Sequence, residues 1–158
     1  MRYLLLIFVF TVLSQVVLAD HYNTYQNARF GYSIDYPAGI LYPQGEADNG
    51  DGQKFLTKDA DASLLVYGSN NALEQTLEDV YLDAARSGST DSPKKVVTYK
   101  AMKRDWFVVS GVDGERVFYQ KTILAGDQFF TFILEYPAGK KSIFDPIIKR
   151  VSASFKPK

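Results

Sequence analysis

The chain contains no cysteine. That excludes disulfides, thiol catalysis, thiolate metal sites and a lipid anchor attached to an N-terminal cysteine. A domain exported without disulfides must be stabilised by its core alone. Histidine is nearly as scarce, since His21 is the only one. It stands second in the chain expected after removal of residues 1–19, and a frayed terminus cannot hold an imidazole in place for a Ser-His-Asp triad. Excess charge of either sign is also missing: 18 Lys and Arg side chains balance 18 Asp and Glu. No strong field follows, so nothing favours nucleic acid or an anionic membrane as a partner. No glycine-rich phosphate loop or metal-ligand spacing occurs, and no cofactor is expected. After the first residues there is no apolar run of spanning length.

The single long apolar run stands at the front. Arg2 supplies a positive start, Tyr3 to Val12 is apolar, and Val17-Leu18-Ala19 leads into polar Asp20 and His21. This layout predicts a secretory signal over residues 1–19, cleaved after Ala19. The run is shorter than the about 20 residues a membrane span needs, and no Lys/Arg cluster follows it. The mature protein is therefore expected to be periplasmic or secreted, with no membrane insertion after cleavage. Residues 20–158, about 140 in number, suit one domain. Aromatic residues make up 15% of the chain, mostly Tyr and Phe, which favour strands and bury large areas.

Two-residue alternation of Phe30, Tyr32, Ile34 and Tyr36 predicts a strand from Asn27 to Pro37. Tyr42 to Gly52 reads as an acidic, Pro- and Gly-containing loop. Gln53 to Thr57 and Ser63 to Gly68 form a hairpin around Lys58 to Asp61. Asn71 and Glu74 predict the capping box of a first helix, with Leu73, Leu77, Val80, Tyr81 and Ala84 on one face and Gly88 as its stop. Ser87 to Pro93 is a polar connection. Val96 to Met102, Asp105 to Val112, Glu115 to Leu124 and Gln128 to Tyr136 read as four strands. The turns between them are too short for parallel crossovers, so the strands form an antiparallel meander. Both faces of the last strand are largely apolar, which predicts a central strand covered on each side. Asp145-Pro146 predicts the start of a second helix with Ile147, Ile148 and Val151 on its apolar stripe. The expected fold is α+β: an antiparallel sheet of about six to seven strands flanked by two helices.

Three pieces carry a family resemblance: the opening strand Arg29-Phe30-Gly31-Tyr32-Ser33-Ile34-Asp35-Tyr36-Pro37, the central meander, and the closing Phe144-Asp145-Pro146-Ile147-Ile148 helix that runs to Ser152-Ala153-Ser154-Phe155-Lys156. On these the chain resembles the Mog1/PsbP-like group of α/β/α sandwiches, and most of all its uncharacterised exported bacterial members. The resemblance implies binding and assembly factors rather than enzymes; some attach to photosynthetic complexes and one to a small GTPase. Partners differ across the group, so it implies a fold more than a function.

Several residue groups are candidates for contact or chemistry, and each has a plainer reading. The loop Glu46 to Gly52 clusters Glu46, Asp48, Asn49 and Asp51, which suits a hard cation such as calcium. Its spacing misses the helix–loop–helix calcium pattern, because Ala47 and Lys58 fall where that pattern needs carboxylates. A solvated turn is the plainer reading. Asp20 and His21 could bind a divalent metal weakly at a new N-terminus, against a solvated terminal histidine. Carboxylates such as Asp35 and Glu135 give no acid/base pair that sequence can place. Tyr-Pro-Ala-Gly occurs at Tyr36 and again at Tyr136, each ending a strand; side by side, the two tyrosines would form an aromatic contact patch, against ordinary core packing. Trp106 follows the basic stretch Lys94, Lys95, Lys100, Lys103 and Arg104, a composition common in protein contacts, against a place in the core. The expected function is that of an exported, non-catalytic binding or accessory protein of the bacterial envelope, acting on an envelope or secreted protein. The alternatives are a small-ligand or calcium module using residues 46–52, and an inhibitor or immunity-type protein against an envelope-directed enzyme.

Overall fold

A computed structural model describes residues 21–88 and 94–158. The leader expected at residues 1–19 and most of the connection expected at Ser87 to Pro93 lie outside the described residues. Numbered in chain order, β1 (Tyr22–Asn27), β2 (Tyr32–Pro37), β3 (Tyr42–Glu46), β4 (Gly52–Leu56) and β5 (Ser63–Asn70) precede α1 (Leu77–Ala84). Then come β6 (Lys95–Met102), β7 (Trp106–Asp113), β8 (Arg116–Ala125), β9 (Gln128–Pro137), α2 (Lys141–Ser154) and the short β10 (Lys156–Pro157). Seven strands make one antiparallel sheet in the order β3-β4-β5-β9-β8-β7-β6. Three more, β1-β2-β10, make a second small sheet. The α+β architecture with two helices on a large antiparallel sheet is thus the one expected.

The central strand is β9, between β5 and β8. Strand periodicity puts Phe130, Phe132, Leu134 and Tyr136 on one face, all buried. The small sheet and α2 cover that face with Tyr32, Ile34, Phe144, Ile147, Val151 and Phe155. Tyr32 is the hub: its ring meets Tyr25, Phe130 and Phe155 edge-on at 6.1, 5.8 and 6.0 Å. Its hydroxyl donates to the carbonyls of Asp51 and Val66 at 3.0 and 3.3 Å, so burial leaves no polar atom orphaned. The opposite face carries Phe107, Val109, Phe118 and Phe129, and α1 covers them with Leu77, Val80 and Tyr81.

Several boundaries differ from the sequence reading. The expected strand 27–37 begins only at Tyr32. Asn27 is fully buried, its Oδ1 accepts from the Phe30 amide at 2.7 Å, and Gly31 takes φ +68°, which together turn the chain. β1 ahead of this turn was not expected, since its outward residues are polar throughout. Tyr42–Glu46 is an edge strand rather than loop: Pro43 and Gly45 are tolerated there because the strand has a partner on one side and a bulge between Pro43 and Glu46.

The first helix is capped by Thr76 with Asp79, not by Asn71 with Glu74. Asn71 instead closes a turn with Gln75, Glu74 sits at φ +52°, and Leu73 is 80% exposed. The second helix starts at Lys141, after a 3-10 turn over Ala138–Lys140, so Pro146 lies inside it. The extra turn carries Phe144 onto the Tyr136 ring at 4.7 Å, and the carbonyl that Pro146 cannot serve belongs to exposed Ser142, where water reaches it.

Candidate functional site

The helix α2 packs over β2, β8 and β9 but stops short of the far edge of the large sheet. A groove of about 500 Å³ is left between α2 and the outer strands. The hairpin registers decide what lines it. Trp106 pairs with Ile123, Val108 with Lys121, and Ser110 with Tyr119, so Trp106, Val108, Lys121 and Tyr119 share one face. Tyr99 joins them from β6 opposite Ser110, and Ile148 and Ser152 close the groove from α2.

The groove is aromatic, with a cation inside it. Tyr119 stacks on buried Phe132 at 5.8 Å, and its hydroxyl lies 3.1 Å from Ser152 Oγ, which fixes the ring. Lys121 Nζ stands 5.6 Å from the Trp106 ring centre and donates to the Ser152 carbonyl at 2.7 Å. Burial lowers its pKa, and the charge of Asp105 acts in the opposite sense. An ammonium has three donors, and that carbonyl takes one. Lys149 at the lip, and Lys103 and Arg104 beside it, are exposed; Lys100, paired with Val109, lies on the opposite face of the sheet. Tyr99 is 55% exposed. A protein or ligand that enters meets aromatic walls, one half-buried ammonium and a positive rim. Trp106 itself is half-buried and packs partly against the main core.

The other candidates do not converge on this groove. Tyr36 and Tyr136 lie on strands of different sheets. Tyr136 is 1% exposed and stacked on Phe144, and Tyr36 packs on Phe55 at 4.4 Å, so the expected aromatic patch is core instead. Along the acidic loop, Glu46 accepts from the Tyr25 hydroxyl at 2.6 Å, and Asp51 accepts from Asn49 Nδ2 at 2.7 Å. The Asn27 amide and the Arg29 guanidinium hold the Gly50 and Asn49 carbonyls. Asp48 is exposed. The loop is a turn fastened to the β1–β2 corner. Among the described residues no three Asp, Glu or His side chains converge as metal ligands. Millimolar calcium is therefore expected to leave the thermal midpoint unchanged; a rise removed by Asp48→Ala with Asp51→Ala would restore the loop as a cation site.

A wider groove of about 650 Å³ opens where the two Tyr-Pro-Ala-Gly segments end, lined by Gly39, Ile40, Tyr42, Ile143 and Phe144. Two cations line it: Lys140 Nζ lies 2.6 Å from Asp61 and 3.0 Å from Asp59, and Lys58, which is exposed, stands 5.6 Å from the Tyr42 ring centre. The Thr57 hydroxyl, and then Lys140, hold the Asp59 carboxyl well below the usual carboxylate range. Lys121 differs from both lysines in being half-buried with no carboxylate contact among the described residues, which favours the Trp106 groove.

No protein-family model matches the chain, and no curated protein does. The fold, however, is that of a known class. The chain is similar to the solution structure of cyanobacterial PsbP (CyanoP) from Synechocystis sp. PCC 6803, with a TM-score of 0.64 over 95% of this chain and 99% of that one, at 15% sequence identity. It has a PsbP-like fold, as its opening strand, meander and closing helix implied.

Proposed function

We propose that this chain is an exported, non-catalytic binding or accessory protein, and that the Trp106 groove is the surface through which it holds a partner protein. The observation that carries the reading is a half-buried ammonium in an aromatic groove, whose one hydrogen bond among the described residues goes to the Ser152 carbonyl. Aromatic and cationic side chains around a partly desolvated centre are the usual makings of an interface hot spot. The PsbP-like fold supports a binding role through the resemblance, whose members are binding and assembly factors. Blocking an envelope-directed enzyme is one concrete form such binding would take.

The test is affinity capture. Tagged protein covering residues 20–158, the Trp106→Ala variant and the double variant Tyr99→Ser with Lys149→Glu are each exposed to envelope extract. Removing a hot-spot side chain lowers affinity by at least about tenfold. A stoichiometric partner is expected with the unaltered chain and is expected to be lost from both variants. Equal retention by all three would overturn the assignment of this groove. The double variant keeps the test sound if Trp106→Ala loosens the core, because Tyr99 and Lys149 are exposed.

A further inference from the structure

We propose that the outer edge of β6 accepts an extended acidic segment of a partner protein as an added strand; this rests on the Trp106 groove being the contact surface and names the chemistry of what binds there. β6 is the last strand of the large sheet, with β7 on its inner side. Its first half is capped on the outer side: the Gly88 amide donates to the Lys95 carbonyl at 3.0 Å, and the Val97 amide donates to Ser87 Oγ at 3.1 Å. From Tyr99 to Met102 no such bond is made among the described residues. The Lys103 amide donates to the Trp106 carbonyl at 2.8 Å, which sets the phase of the ladder. Antiparallel alternation then turns the backbone of Tyr99 and Ala101 towards β7 and that of Lys100 and Met102 outwards. Those outward groups are a ready template for another strand.

The two edges of the sheet are built differently. β3, at the far side, has Pro43 without an amide hydrogen, a bulge, and Gly45 at φ +96°. These features blunt an edge against any strand. The open half of β6 has no proline, and its only irregularity lies between Val97 and Tyr99, before the open half begins. It carries charge instead, with Lys100 on the strand and Lys103 and Arg104 just beyond it, against the single acid Asp105 in the turn. Lysine on an edge rejects neutral and basic strands and leaves acidic ones favoured.

The same reasoning argues against a second copy of this chain. Two β6 edges would bring Lys100, Lys103 and Arg104 of each copy together, and the β3 edge is blunted. Strand periodicity then gives the form of the partner. Alternate side chains would lie beside Tyr99 and Lys103 at the open side of the Trp106 groove, and the others beside Lys100 and Met102. The segment that fits alternates acidic with apolar or aromatic residues.

Trp106 is the only tryptophan in the chain, so its emission reports on the groove without a label. The probe is a synthetic peptide of about ten residues that alternates Glu with Val and Phe. Its controls are the Lys-for-Glu counterpart and a version N-methylated at alternate amides, which cannot pair with an edge. The acidic peptide is expected to shift Trp106 emission saturably and to weaken at least about tenfold between low and high salt, as exposed charge pairs are screened. Lys100→Glu with Lys103→Glu should remove binding while leaving the thermal midpoint unchanged, and both control peptides should fail. Equal binding of acidic and basic peptides, full binding of the N-methylated one, or binding of none would overturn the proposal. The failures separate cleanly. If partner capture depends on Trp106 but withstands salt and the Lys100/Lys103 change, the added strand is wrong and the groove stands. If capture withstands the groove variants, the groove itself is wrong.

Discussion

Gly111→Ala is expected to destabilise the domain by about 3 kcal/mol and to loosen β6 first. A Cβ at Gly111 would lie 2.0 Å from the Val96 carbonyl oxygen and 2.9 Å from the Val97 Cα. Both are backbone atoms of the neighbouring strand, so no side chain can swing away to relieve the contact. Gly111 also sits opposite the irregular step between Val97 and Tyr99, where β6 already departs from even pairing. The strand that carries Tyr99 and the basic edge would have to move as a unit. The check is the urea midpoint at constant slope, with amide hydrogen exchange along β6 as a local readout. A loss below about 0.5 kcal/mol with unchanged exchange would show that the close approach of the two strands is not needed.

The second large effect is alkaline unfolding. Tyr32 and Tyr136 are 0% and 1% exposed. Burial raises the pKa of both; the neighbouring Tyr25 adds to this for Tyr32, and the Asp145 hydrogen bond and charge add to it for Tyr136. In the unfolded chain a tyrosine titrates near 10. Below about pH 10 both states keep the proton and stability is fully present. Above it the unfolded chain loses protons that the native state still holds, so stability falls as pH rises. Each tyrosine contributes a slope of about 1.4 kcal/mol per pH unit, or about 3 for the pair. Unfolding free energy measured from pH 9 to 11.5 should therefore drop steeply past 10, with tyrosinate absorbance appearing together with unfolding. In Tyr32→Phe with Tyr136→Phe, stability should start lower but decline less steeply. A flat profile through pH 11 would mean that these hydroxyls ionise within the fold.

Much of this architecture is legible in the sequence, for identifiable reasons. Two of the meander's three turns announce themselves through Gly114 and Gly126, which take φ +60° and +61° where other residues would be strained. Those turns fix the registers, and the registers place Val108 opposite Lys121 and Trp106 opposite Ile123. The basic run that draws attention to Trp106 divides between the faces, with Lys103 on the groove side and Lys100 on the other. Lys121, the groove's most informative member, passes unnoticed because a single lysine in a strand-like run reads as an outward residue. The registers turn it to the side of Trp106 and Tyr119, and the place where α2 stops leaves that side open as a groove. Ile148 and Ser152 are hidden for the same reason.

The misread helix start shows competition between equal local signals. Asn71 with Glu74 and Thr76 with Asp79 are both spaced for a capping box. Tertiary packing chooses between them, since α1 begins where Leu77 can meet the Phe107, Phe118 and Phe129 side chains. The Tyr36 and Tyr136 repeat misleads in another way. The same turn chemistry ends two strands whose partners lie in different sheets, and nothing local records which sheet a strand joins.

The pairing of β5 with β9 has a consequence for the order in which the chain can fold. These two strands join the β3–β5 half of the large sheet to the β6–β9 half, and even Asn70 and Gln128, at the near end of the seam, are 58 positions apart. Local hairpins can form within either half as the polypeptide emerges. Leu64 and Val66, fully buried in the end, have no neighbouring strand on their open side until β9 has been made. Closing so long a loop is slow compared with forming a hairpin. The sheet cannot close until most of the chain has left the ribosome, so its two halves must each persist as separate hairpins until then.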